Sequence, residues 1–211
     1  MFKLQYYKNL NPRPVWPMQS HRVDAIYGTM ARTIRKGNAK HKQNLKQCLL
    51  DIAHVFETNC RQITASQASY DEWFYDHVMT VQAVEFDWED AKGIKRNGIT
   101  FGLTQKFLNL VIKDWWCMSQ VANDLDCSVL HAPFDNVVSR QITVLVGKCF
   151  SSLKAGGYYV HLSRSDYDNY QQYLLDKQLQ QILKLPSQIT RIETEQKLFG
   201  LALHRKPDSV T

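Results

Sequence analysis

The sequence predicts an all-α fold, about seven helices forming two helical lobes around one central buried helix. Three observations point there. Apolar residues recur at i, i+3, i+4 and i+7 in one segment after another, the spacing of a helix face. Apolar–polar alternation, the mark of a half-buried strand, is weak and confined to residues 158–162. Residues 104–118 are apolar almost all the way round, which places that helix in the middle of a domain.

The elements follow in order. Pro12, Pro14 and Pro17 make residues 1–20 an extended arm, packed by Tyr6, Tyr7 and Trp16. Ile26, Met30 and Ile34 give a first helix over about 23–34, in the most basic part of the chain. Gly37-Asn38 interrupts it. A longer helix runs over about 41–58, with Leu45, Leu49, Ile52 and Phe56 inward. Ser69 or Asp71 caps the third, which carries Trp73, Phe74, Val78 and Val81 to about residue 86. Residues 85–98, acidic then basic with two glycines, read as a connector, and a tight glycine turn over 97–102 leads into the central helix, with Thr104 as cap. After a loop at 124–133, Asp135 caps a helix over about 136–151, with Val137, Val138, Ile142, Leu145 and Val146 inward. Gly156-Gly157 closes that region. Ser165 or Asp166 starts a helix through residue 183, Pro186 breaks it, and a last helix lies within 188–203 before a polar tail from 205.

Composition narrows the class. A hydrophobic content of 44% supplies a core for a single helical domain of 211 residues. The net charge of +6 and pI near 9.0 permit a nucleic-acid partner. Cys48, Cys60, Cys117, Cys127 and Cys149 form no CxxC pair, a pattern of reduced, buried thiols in which neither a disulfide framework nor a metal or other cofactor is expected. No signal-like segment opens the chain, and no run reaches the roughly 18 apolar residues of a membrane span. The expectation is a cytoplasmic protein with no membrane partner.

Chemistry concentrates on the central helix. Lys106, Asn109 and Lys113 share one stripe of it. Lysines in a mostly buried helix either snorkel to water or face a site, and both readings stay open. Asp135, 29 positions after Lys106, opens the following helix and can face it. In general, burial disfavours an ammonium and can make a lysine a neutral nucleophile, while a nearby aspartate moves its proton. The plainer alternative is that Asp135 is a helix cap and Lys106 its ion-pair partner.

Gly98 and Gly102, a helix with the early Lys106, then Pro133-Phe134-Asp135 opening a second helix, resembles the helix-hairpin-helix DNA glycosylases over about residues 97–142. The lysine-to-aspartate gap is closest to the archaeal 8-oxoguanine glycosylase branch. The resemblance implies a glycosylase-like fold and a glycosylase/lyase acting on duplex DNA that carries a damaged or modified base, with no metal. Lys106 would be the Schiff-base nucleophile and Asp135 its assistant. Gln105, Asn109 and Lys113 would line or support the base pocket, His131 and Arg140 would contact base or phosphate, and the amides around Gly98 and Gly102 would bind the backbone. The family hairpin usually reads L-P-G-V-G, whereas three residues separate the two glycines here.

Two further features compete. Arg35 and His41 match the loose R-x(4–6)-H spacing of HEPN ribonucleases, in which the arginine would hold the scissile phosphate and the histidine act without metal. Trp73, Phe74, Trp88, Trp115 and Trp116 cluster mid-chain, either as core or as a slot for a flipped base, and Trp88 in its acidic connector is the hardest to place in a core. A helical module that binds nucleic acid or protein without turnover is the third reading.

Overall fold

Side-chain caps set the boundaries of most elements. The computed structural model describes residues 20–29, 34, 37–90, 93–119, 121–147 and 161–204. Among them are eight helices and one two-stranded sheet: α1 (Ser20–Thr29), α2 (Ala39–Ile63), α3 (Gln67–Gln82), β1 (Asp87–Glu89), β2 (Lys95–Asn97), α4 (Phe101–Met118), α5 (Asn136–Val146), α6 (Arg164–Tyr173), α7 (Lys177–Ile182) and α8 (Arg191–His204). The expected arm, apart from Ser20, lies outside the described residues, as do residues 158–160, Arg35, Cys149 and the tail from 205.

Asn38 accepts from the Lys40 and His41 amides and starts α2, which runs five residues past the expected end to Ile63. Ser66, not Ser69 or Asp71, caps α3, which leaves Asp71 inside the helix. Thr100, not Thr104, caps α4, and Thr104 is fully buried. Gly147, left-handed at φ 69°, ends α5 at Val146, short of the expected 151. Val137, expected inward, is exposed, while Val138 and Ile142 are buried. The single helix expected from about 165 to 183 is two, because α6 stops at Tyr173 and Asp176 caps α7 through the Leu179 amide.

The connector at 85–98 is a β-hairpin. Strand β1 pairs antiparallel with β2, Trp88 opposite Arg96. Asp90 organises its turn, accepting from the Ile94 amide and from Arg96 Nε and Nη2. Trp88 is 2% exposed and donates its indole N–H to Gly98 O at 3.0 Å, so it belongs to the hairpin's core. Gly98 follows β2 at φ 77°, and Gly102 is the second residue of α4. A strand pair, not a helical hairpin, therefore delivers the chain into the central helix.

Helix α4 is buried nearly all round, leaving only Phe101, Lys106 and Leu110 partly exposed through Cys117. It packs against α1, α2 and α3. Phe56 of α2 sits edge-on to Trp115 and tilted against Trp73, both at 4.8 Å between ring centres, and Tyr27 stacks on Phe107. On the other side its polar residues reach α5, α6 and α8, which anchors that second group of helices. Cys60, Cys117 and Cys127 are buried, as expected of core thiols. No helix among the described residues is long and apolar enough to cross a membrane.

Candidate active site

Thr100 fixes the start of α4 and so fixes where Lys106 points, on one of the few places where that helix meets solvent. Lys106 Nζ lies 2.7 Å from Asp135 Oδ2, with side chains 12% and 19% exposed. Asp135 Oδ1 accepts from the Val137 amide at 2.7 Å and caps α5. One carboxylate thus performs two tasks, one oxygen on the helix and the other on the lysine. Burial pushes the Asp135 carboxyl up, but the Lys106 ammonium and the Val137 amide outweigh it and hold the group below the usual carboxylate range.

The segment before Asp135 is held by side chains, because it is buried and has no strand or helix partners of its own. Gln105 Oε1 accepts from the Phe134 amide at 3.0 Å, and its Nε2 donates to Gly102 O and Phe134 O. Gln171 of α6 closes a two-point clamp on Ala132, accepting from its N–H at 3.0 Å and donating to its carbonyl at 2.8 Å. The Tyr170 hydroxyl donates to Pro133 O at 2.9 Å. Three side chains on two helices therefore fix where Asp135 stands relative to Lys106.

The other residues of the stripe are interior. Asn109 is fully buried and donates to Gln105 O, Gln105 Oε1 and the Tyr167 hydroxyl. Lys113 neither snorkels nor opens to solvent, but pairs with Glu195 of α8 at 2.5 Å with both side chains buried. Arg22 of α1 pairs with Asp114 in the same way. Gln105 and Asn109 thus brace the segment that carries Asp135, while Lys113 is engaged with Glu195 in the packed core.

His131, also buried, donates from Nε2 to Asp71 Oδ1 at 3.0 Å. Burial pushes the imidazole below its ordinary value despite Asp71, so the neutral ring is the donor. Asp71 is raised by burial but held lower overall by the His131 and Gln67 hydrogen bonds. The His131 ring sits edge-on to Tyr70, Phe74 and Tyr167. Arg140 is exposed on α5. The amides of Gly98, Leu103 and Thr104 are taken up by Phe86 O, Thr100 Oγ1 and Thr100 O, so they do not form the expected backbone-binding turn.

His41 is held apart from this site. Its Nδ1 accepts from the Asp87 amide at 3.2 Å, and its Nε2 faces Glu85 at 3.4 Å. Among the described residues His41, Glu85 and Asp87 have the spacing of metal ligands. The Asp87 contact leaves the ring proton on Nε2, which would have to lose it before ligating. Arg35, the partner expected for His41, lies outside the described residues.

Gln171, Glu195, Asp71 and Arg191 are absent from the sequence-derived candidates. Two of them had a signal. Tyr167, Tyr170, Gln171 and Leu174 stand at i, i+3, i+4 and i+7, so Gln171 shares the buried face of α6. Glu195 stands between Ile192 and Leu198 at i+3 on either side, an acid on an apolar stripe. No protein-family model, curated protein or solved structure matches this chain.

Proposed function

We propose that this protein is a DNA glycosylase with lyase activity, excising a damaged or modified base through Lys106 with help from Asp135. The observation that carries the reading is the 2.7 Å contact between Lys106 Nζ and Asp135 Oδ2, with the same aspartate capping the next helix. A lysine near the start of a central helix, facing an aspartate at the mouth of the helix that follows, is the arrangement the resemblance calls for. The glycosylase-like placing of α4 between two groups of helices belongs to the same proposal.

In this reading Lys106 Nζ gives a proton to Asp135, its nearest carboxylate, and attacks C1′ of the target nucleotide. The C1′–N bond breaks, and the base leaves with the bonding electrons and takes from Asp135 the proton that came from Lys106. The recovered Asp135 carboxylate then stabilises positive charge on the sugar. Ring opening gives a lysine Schiff base, and loss of the 3′ phosphate by elimination nicks the strand. Arg140, exposed on the helix that Asp135 caps, would contact a backbone phosphate in this reading.

The test is a panel of duplex oligonucleotides, each with one damaged or modified base or an abasic site, assayed for base release and nicking. Wild type should process at least one member, and Asp135→Asn should lose most of that turnover. Absence of base release and nicking across the panel, abasic duplex included, would remove the proposal.

A further inference from the structure

Helices α3, α6 and α8 border a polar cavity of about 200 Å³ that the Lys106–Asp135 pair does not use. Its walls include Asp71, Tyr75, His131, Arg164, Asp168 and Arg191. Most of these satisfy one another. Asp71 accepts from His131 and Gln67, the Tyr75 hydroxyl donates to Asp168, and Arg164 lies over the Tyr75 ring, 3.7 Å from its centre.

Arg191 differs. It is 5% exposed, and its Nε and Nη1 donate to Gln171 O, Gln67 Oε1 and Ser128 O. All three acceptors are neutral. Among the described residues no carboxylate lies within ion-pair distance of Arg191, and Nη2 has no hydrogen-bond partner. The strongest negative influence on it is Asp71, whose carboxylate is already engaged by His131 and Gln67. A buried guanidinium held by neutral oxygens keeps its charge unneutralised, which is costly. The two N–H bonds of Nη2 are left for the cavity that Arg191 lines.

We propose that this cavity binds a phosphate group, free or as a monoester, with Arg191 as the buried anchor and Arg164 closing the solvent side. The volume suits a small ion or a single substituent, below that of sites for drug-sized ligands. Two guanidiniums on different helices line the same cavity and supply the donors an oxyanion takes best, Arg164 being held by Asp168, with Nε 3.8 Å from Oδ2. Asp71 and Asp168 select among oxyanions. A phosphate monoester has its second pKa near 6, so it can carry a proton and donate it to a carboxylate. A simple carboxylate anion has none to give at neutral pH and meets only repulsion there.

The experiment is titration of wild type with inorganic phosphate and with acetate, at ionic strength fixed by chloride, read by calorimetry and by phosphorus NMR. Phosphate should bind saturably at millimolar concentration and acetate should not. Arg191→Gln should abolish binding. Arg164→Ala, at an exposed position, should weaken it roughly fivefold, as expected for loss of one charge-assisted contact. Should Arg191→Gln fail to fold, Arg164→Ala decides. Competition by duplex DNA with and without a 5′ phosphate separates a strand end from a free phosphate as the source. Lys106→Gln should bind phosphate as wild type does, which separates this site from the proposed active site. Absence of saturation, equal binding of acetate, or an unchanged affinity in Arg164→Ala would overturn the proposal.

Discussion

Lys113 of α4 and Glu195 of α8 form an ion pair inside the protein, 2.5 Å apart and buried on both sides. Removing one partner of such a pair leaves an uncompensated charge, at a cost of about 3–5 kcal/mol, while replacing both by apolar residues is often close to neutral. Lys113→Met is expected to be strongly destabilised, and Lys113→Met combined with Glu195→Leu to recover most of the loss. Burial pushes the Glu195 carboxyl up, and Lys113 pulls it only part of the way back. A carboxyl raised in the folded state binds its proton more tightly there than in the unfolded chain. Its contribution is greatest in acid and fades as pH rises through the folded value. Acidification should therefore narrow the gap between Lys113→Met and wild type. Urea unfolding across pH checks both statements, and a double variant as unstable as the single one would contradict them.

Asp135 carries the opposite sign. Its folded value lies below the ordinary 3.8, so its contribution is present above that value and is lost as pH falls through the lower folded one. Asparagine caps a helix about as well as aspartate, so Asp135→Asn isolates the contact to Lys106. Wild type should be the more stable at pH 7, with the two curves converging below about pH 3.8. Parallel curves down to pH 2 would show that the pair adds nothing to folding, in urea titrations at each pH.

Gln105 is expected to matter for activity without touching substrate. Gln105→Met keeps the volume but strands the buried Phe134 amide, at about 1–3 kcal/mol. It also frees the segment that sets Asp135, so turnover should fall further than binding. Unfolding and single-turnover kinetics on the same preparation test it. Full turnover from a destabilised variant would confine Gln105 to a packing role.

Gly98→Ala tests the hairpin exit. Gly98 sits at φ 77°, and a Cβ placed there meets no atom within 4 Å. Strain alone remains, about 1–2 kcal/mol for an L-residue in the left-handed region. A thermal melt unchanged from wild type would mean that the turn relaxes without cost.

Much of the architecture was legible because burial leaves a periodic trace. The apolar girdle of α4, the faces of α2 and α3, and the Asp135 cap could be read from residue spacing alone. The β-hairpin could not, because its three-residue strands carry exposed Asp87, Lys95 and Asn97 and bury only Trp88 deeply. The break between α6 and α7 has two local marks, Asp176 and the five-position step from buried Leu174 to buried Leu179, which one helix face does not span. Lys106 and Asp135 could be paired from sequence because the lysine stands within the first two turns of one helix and the aspartate caps the next. Gln171 and Glu195 were hidden because polar residues on buried faces look like surface residues until their partners are known.

Whether Lys106 is the nucleophile is decided by borohydride trapping on duplex DNA bearing an abasic site or a processed base. Reduction fixes a lysine Schiff base as a covalent protein–DNA adduct, and peptide mapping reads which lysine holds it. An adduct is expected at Lys106 in wild type and none in Lys106→Gln, which should still bind the duplex. An adduct formed equally by Lys106→Gln, or mapped to another residue, would contradict the assignment of Lys106 as the nucleophile.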